Sequence, residues 1–274
     1  MGAETVDPLP DVRELEPERL TVETRAYQQF TRELLQDAGL RPGMRVLEIG
    51  TGSGDVAMLA AEMVGPTGQV IGVDQSCETI EQAKERARSR GLENVQFECA
   101  SLQEPLSVGS DFDALVGRLV LMYLPTPAVH LRRLVRHVKP GGFVAFQEIN
   151  LLGARSVPST PTLELAENWV RETFARSGIE VQMGPKLHGV FRAAGLPSPE
   201  MRVDGLISAS EGVVPALMTD VIRTILPMIE HIGLATRDEV DIDTLEDRMR
   251  AELEAEDATL SSPLLVGAWA RLPA

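Results

Sequence analysis

Alternate glycines flanked by acids are the residues of this chain best placed to do chemistry. In Val46-Leu47-Glu48-Ile49-Gly50-Thr51-Gly52-Ser53-Gly54-Asp55 the glycines lack Cβ atoms and permit positive φ, so backbone can pass close beneath a flat or polar ligand. Asp74 stands 24 positions after Gly50, where a carboxylate can accept hydrogen bonds from both ribose hydroxyls of a nucleoside lying over the turn. A dinucleotide would ask for a third glycine where the following helix opens beneath pyrophosphate. Here the third glycine comes one residue early and Asp55 follows, a carboxylate that would oppose phosphate. The spacing therefore favours an adenosine-type ligand without phosphates.

Those residues need strands to carry them. Val22 to Gln36 reads as an N-terminal cap helix, with Ala26, Phe30, Leu34 and Leu35 near helical spacing. Arg45 to Ile49 is a short apolar strand broken by the glycines, and Asp55 to Met63 is helical. Gln69 to Asp74 is a second strand, followed by Ser76 as N-cap of a polar helix through Arg90. Asn94 to Cys99, Asp113 to Gly117 and Gly142 to Glu148 read as further strands, each of the length and composition of strands covered on both faces. Thr126 caps a helix with Pro127 at its first position and Leu131, Leu134, Val135 and Val138 as its stripe. Beyond Asn150, helices are expected from Pro161 to Ser177, around Lys186 to Ala194, near Val213 to Ile232 and near Ile242 to Glu256. Late strands follow at Glu200 to Leu206 and Leu264 to Arg271. Alternation of this kind predicts an α/β fold whose ligands bind beyond the carboxyl ends of the strands. The expected organisation is a cap segment and helix over 1–44, a cofactor-binding core over 45–150, a helical lid over 151–194, and late core strands over 195–274 with a helical insertion at about 211–258.

Composition narrows the function. The chain has 274 residues, 43% of them hydrophobic and 24% charged, which suits one globular protein with insertions. Its net charge of −15 repels nucleic-acid phosphates and anionic membranes. Residues 1–24 carry −5 and residues 237–257 carry −7, segments whose plain reading is solvated surface. No apolar run approaches the roughly 20 residues of a membrane helix, the start has neither a signal-peptide nor a myristoylation pattern, and a cytoplasmic location is expected. Cys77 and Cys99, the two cysteines, form no paired metal-binding unit and no disulfide framework; they fall near each other at adjacent strand ends, inert packing is expected of them ahead of redox chemistry, and no metal. The basic clusters Lys84 to Arg90 and Arg132 to Lys139 read as solvated helix faces.

The segments VLEIGTGSGD, GVDQS and HVKPGGFVAFQE together resemble the class I methyltransferases that use S-adenosylmethionine (SAM), over roughly Arg41 to Glu148. GRLVLMYLPTP and RAYQQFTRELL extend the similarity to bacterial enzymes acting on small metabolites. The resemblance implies a Rossmann-like sheet, mostly parallel with an antiparallel last strand, SAM as cofactor and S-adenosylhomocysteine as product. It also implies roles for individual residues. Gly50, Thr51 and Gly52 would line the methionine portion, with Glu48 near its ammonium end. Asp74 would hold the ribose and Gln75 flank the adenine; Ser101 and Leu102 would meet the adenine edge, and Arg118 would offer its backbone carbonyl to the methionine amine. Relatives often carry an acid after the third strand, where this chain has Ser101.

Methyl transfer from a sulfonium is an in-line displacement that orientation alone can accelerate strongly, so a dedicated base is optional. Four residues are candidates for one or for closing the pocket: Glu148 at the end of the fifth strand with Asn150 beside it, His188 on the lid, Tyr27 on the cap helix and Tyr123 after the fourth strand. Met218, Ile222, Ile225, Leu226, Met228 and Ile229 make an apolar helix face that most simply packs on the inserted helices, and a Met-rich surface of this kind also suits a greasy acceptor. The reading is methyl transfer to a small, hydrophobic metabolite at an O, N or C atom. Cyclisation with or without methyl transfer, and a non-catalytic binding module on the same fold, stand beside it. Nucleic-acid and membrane partners are not expected, and the cap and lid helices are the route to any homo-oligomer.

Overall fold

A computed structural model describes residues 21–274; the Pro- and acid-rich start, residues 1–20, lies outside the described residues. Its regular elements are, in order, α1 (Thr21–Ala38), β1 (Arg45–Ile49), α2 (Asp55–Val64), β2 (Gln69–Asp74), α3 (Cys77–Ser89), β3 (Val95–Cys99), β4 (Phe112–Arg118), α4 (Pro127–Leu134) and β5 (Val138–Asn150). Then come β6 (Arg155–Val157), α5 (Pro161–Arg176), α6 (Met183–Ala194), β7 (Glu200–Asp204), β8 (Ile207–Ser208), α7 (Val214–His231), α8 (Arg237–Val240), α9 (Leu245–Ala255), β9 (Thr259–Ser261) and β10 (Leu264–Arg271). No described helix is long and apolar enough to cross a membrane.

The described residues fall into two compact units. Thr21–Asn150, Glu180–Gly205 and Leu264–Ala274 form the first. It holds a seven-stranded sheet in the order β3-β2-β1-β4-β5-β10-β7. The strands β3 to β5 run parallel, and β10 runs antiparallel to both β5 and β7. The fold class expected from the sequence is therefore the one found. One face of the sheet buries Val46, Val70, Phe97, Ala114, Val116, Phe143 and Ala145 beneath α1, α2 and α3. Valine and alanine at alternate strand positions leave room for helix side chains to seat closely. At Gly267 the approach is tightest, because a Cβ there would stand 2.6 Å from Leu34 Cδ1 of α1. Arg202 of β7 fastens the same helix through Glu33 at 2.7 Å and Asp37 at 2.8 Å.

The second unit consists of Leu151–Ile179 and Leu206–Pro263. Helices α5, α7 and α9 pack on one another there, beside a three-stranded sheet in the order β6-β9-β8. Its strands have two or three residues each, too short to show a period in the sequence. The apolar side chains of α7 are its core, with Met218 2% exposed and Ile222 fully buried, the packing expected of that helix. The acidic run is not all solvated surface. Glu252 of α9 accepts from the Thr162 N–H at 2.9 Å and its hydroxyl at 2.6 Å, a negative charge at the amino end of α5.

Three further expectations are corrected. The helix α6, expected in the lid, belongs to the sheet-bearing unit and packs on β5, β10 and α4. An amphipathic helix reads the same in sequence whether it covers a sheet or an insertion. Val138, expected on the α4 stripe, opens β5. Cys77 and Cys99 are exposed and joined as a disulfide, neither buried nor inert. Register explains the meeting: Asp74 of β2 pairs with Cys99 of β3, and Cys77 begins the helix three residues on. An exposed disulfide runs against the cytosolic expectation, since reducing compartments keep such pairs as dithiols. A loop closed across a separation of 22 residues is worth about 3 kcal/mol by chain entropy. Urea unfolding of the Cys77→Ser/Cys99→Ser double variant should show a loss of about that size. Wild type unfolded in a dithiol reductant should match the variant; equal stability with and without reductant would show that the bridge contributes nothing.

Candidate functional site

The parallel strands β1 to β4 end side by side, and the residues expected to bind cofactor lie along those ends. Gly50, Gly52 and Gly54 all take left-handed φ, at 67°, 49° and 86°. Their roles differ. A Cβ at Gly50 would stand 2.5 Å from Val120 Cγ2, and one at Gly54 would stand 2.9 Å from Phe97 Cζ, so packing alone requires both glycines. A Cβ at Gly52 would meet nothing within 4 Å. Of the three, Gly52 is the one whose missing side chain fronts open space, the cradle a flat ligand needs.

Asp74 fixes that cradle. Its Oδ2 accepts from Gly52 N–H at 2.9 Å and its Oδ1 from Ser76 N–H at 3.0 Å. A carboxylate offers about four lone-pair directions, so it retains capacity for two hydroxyls. Thr51 N–H reaches Val73 carbonyl at 3.1 Å, and the Thr51 hydroxyl donates to Glu48 Oε2 at 2.5 Å. Glu48 is 1% exposed, and burial pushes its carboxyl up to about 8, with the Thr51 bond and the Arg118 charge opposing. Gln75, exposed, follows Asp74 directly; Ala100 N–H ties the end of β3 to Asp74 carbonyl at 2.8 Å, and Ser101 and buried Leu102 come next. Arg118 closes β4 and donates to the Thr31 hydroxyl of α1 at 3.2 Å.

Two arginines read as solvated in fact clamp these loops. Arg86 of α3 donates to Ser53 carbonyl and Oγ, each at 2.7 Å, and pairs with Asp55 at 2.6 Å. Asp55 is thus spent on holding the glycine turn. Arg133 of α4 donates to the carbonyls of Leu102 and Gln103, holding the segment after β3. Charge on a helix looks alike in sequence whether it faces water or a neighbouring loop, so nothing local signalled either clamp.

Among the residues expected to be catalytic, Glu148 is fully buried at the end of β5. Its Oε1 accepts from Val120 N–H at 3.0 Å and Leu121 N–H at 2.8 Å, and its Oε2 from Met122 N–H at 3.3 Å. Both oxygens serve the turn after β4, where Leu119 holds a left-handed φ of 52° that costs a branched side chain about 1–3 kcal/mol. Glu148 positions that turn from the end of β5. Burial raises its carboxyl to about 7 against the opposing backbone bonds. Asn150, also at the end of β5, has its Oδ1 buried without a partner. Tyr27 is buried on α1 with Phe30 at 6.2 Å between ring centroids, and Tyr123 is half-buried at the end of the turn that Glu148 pins. His188 is exposed on α6, with Nε2 at 3.2 Å from Ser198 Oγ.

The chain matches the family described as a methyltransferase domain over residues 40–192. It is 33% identical over 130 residues to the ubiquinone/menaquinone biosynthesis C-methyltransferase UbiE of Ectopseudomonas mendocina, covering 47% of this chain and 50% of that protein. The chain spans about half the length, or less, of the curated relatives it matches first. Among solved structures, the YcgJ protein of Bacillus subtilis is similar at TM-score 0.59 and 18% identity, over 90% of this chain and 99% of that one. The [4+2]-cyclase SpnF is similar at TM-score 0.55 and 20% identity, over 91% of this chain and 82% of that one. At these identities both structures show a shared fold alone.

Two outcomes follow from the geometry. Asp74→Ala should weaken binding of an adenosine-type ligand by about 1 to 3 kcal/mol, read by calorimetry, because two hydroxyl partners and the tie to Gly52 are lost together. Glu148 titrates at about 7 when folded against 4.5 for the free side chain. Between those values the folded chain keeps a proton the unfolded chain has released, so this group's contribution is full below about pH 4.5 and is lost as pH rises through about 7. Urea titrations across that window should show the slope in wild type and its absence in Glu148→Gln.

Proposed function

Because this chain belongs to the class I SAM-dependent methyltransferase family, we propose that it moves a methyl group from SAM to a small, apolar metabolite. One observation carries the reading: the left-handed turn at Gly52 fronts open space, and Asp74, tied beneath it, has lone pairs to spare. That arrangement suits a nucleoside without phosphates. Gly50, Thr51 and Gly52 would line the methionine portion of SAM, with Glu48 toward its ammonium group. Asp74 would hold the ribose, Gln75, Ser101 and Leu102 would border the adenine, and the backbone at Arg118 would meet the methionine amine. Bound there, SAM supplies an electrophilic methyl on a sulfonium.

The chain's own work is then orientation and exclusion of water. Glu148 holds the turn at Val120–Met122, and Arg86 and Arg133 hold the two loops that border the nucleoside, so the crevice is set before a ligand arrives. No base is required for an acceptor that is already nucleophilic. An apolar small acceptor is supported by the relative named for ubiquinone/menaquinone biosynthesis, and a polyanionic one is opposed by the net charge of −15.

Calorimetry should detect binding of both SAM and S-adenosylhomocysteine, and a screen of small acceptors with trideuteromethyl-labelled SAM should place the label in product. Binding of neither compound would remove the reading, and a turned-over substrate without the label would replace methyl transfer by another reaction on the same cofactor.

A further inference from the structure

The second unit holds a cavity of about 130 Å³ that is partly open to solvent, and all its lining residues belong to that unit: Leu151, Leu152 and Ala154 after β5, Glu167, Val170 and Arg171 of α5, Met218 of α7, and Pro263. Six of these eight side chains are apolar. The exception that matters is Glu167, whose Oε1 is buried with no hydrogen-bond partner. Arg171 lies one helical turn along but does not satisfy it, being engaged with Asn168 Oδ1 at 2.6 Å and Glu172 at 3.6 Å. Burial and the neighbouring Glu164 raise the Glu167 carboxyl to about 7, with Arg171 opposing.

A buried acceptor left unpaired costs about 1–3 kcal/mol, a cost that persists only where something else is gained. Glu167 and Arg171 are the charged side chains of the lining, facing six apolar ones, so the cavity offers an apolar wall with a polar edge. Its volume is of the order that takes a benzene-sized molecule, about 150 Å³. Leu152 is 47% exposed at the cavity's edge, so an entrance needs no rearrangement of the core.

We propose that this cavity is a binding site for a small apolar alcohol or phenol, seated among Leu151, Ala154, Val170 and Met218 with its hydroxyl donating to Glu167. The methyl acceptor proposed above is likewise small and apolar; the hydroxyl is asked for by Glu167 alone, and only an identification with that acceptor rests on the methyltransferase reading.

Phenol and toluene have nearly the same shape and differ in the donor, so they separate the hydroxyl contact from simple apolar filling. Methyl-labelled protein titrated with each should show phenol shifting the Leu151, Leu152, Ala154, Val170 and Met218 methyls, with an affinity about 2- to 10-fold above that of toluene. Glu167→Leu should abolish the preference while retaining toluene. Val170→Phe should reduce binding of both by filling the space. Absence of phenol shifts at these methyls, equal affinity for the two compounds, or a preference that survives Glu167→Leu would overturn the proposal, whatever Val170→Phe does to folding. SAM calorimetry on the same samples keeps the two readings apart: SAM bound without phenol sinks the cavity site alone, and phenol bound without SAM sinks the cofactor reading alone.

Discussion

The Asp74 carboxylate is the fixed point of the crevice. By accepting from Gly52 on one side and Ser76 on the other, it couples the glycine turn after β1 to the first residues of α3. A turn built from left-handed glycines has many conformations open to it when unfolded, and hydrogen bonds to an ionised acceptor are stronger than neutral ones, so one carboxylate can select among them. The same residue's carbonyl takes the Ala100 N–H, which extends the tie to the end of β3. Three strand ends are thereby referred to one residue, two of its ties made by the side chain and one by the backbone.

Around that point the chain crowds acids where the strands end. Glu48 and Glu148 are buried with raised pKa values, and Asp55 and Asp74 stand nearby. Such a cluster survives because each member has an assigned donor: a hydroxyl for Glu48, backbone amides for Glu148 and Asp74, a guanidinium for Asp55. Buried polar groups are tolerated when their partners are fixed, and fixing them makes the loops rigid. Rigidity is what displacement chemistry asks of a protein that contributes placement more than proton transfer.

The glycine turn and Asp74 were legible in the sequence because their meaning is local: a spacing along one strand, turn and helix determines what can lie above them. The sheet was legible for a related reason, each buried strand being a short apolar run between breakers. What escaped depends on contacts distant in the chain. That the three amides of Val120 to Met122 converge on Glu148 follows from such contacts, and no local pattern announces it. Arg86, Arg133 and Glu252 read as surface charge because a helix face carries no mark of which loop or helix end it will meet. The cysteines' place at adjacent strand ends was legible, but their bond follows from the register of β2 on β3 and from where α3 begins, neither of which a count of residues between them reveals.

The bridge between Cys77 and Cys99 sits on the surface, beside Asp74 where β2 and β3 end. A sample purified in thiol-containing buffer and one left in air are therefore two different covalent molecules, distinguishable by two hydrogens in an intact mass spectrum. They differ in how firmly two neighbouring loops are joined. Rates and affinities from separate preparations become comparable once that mass is recorded beside them.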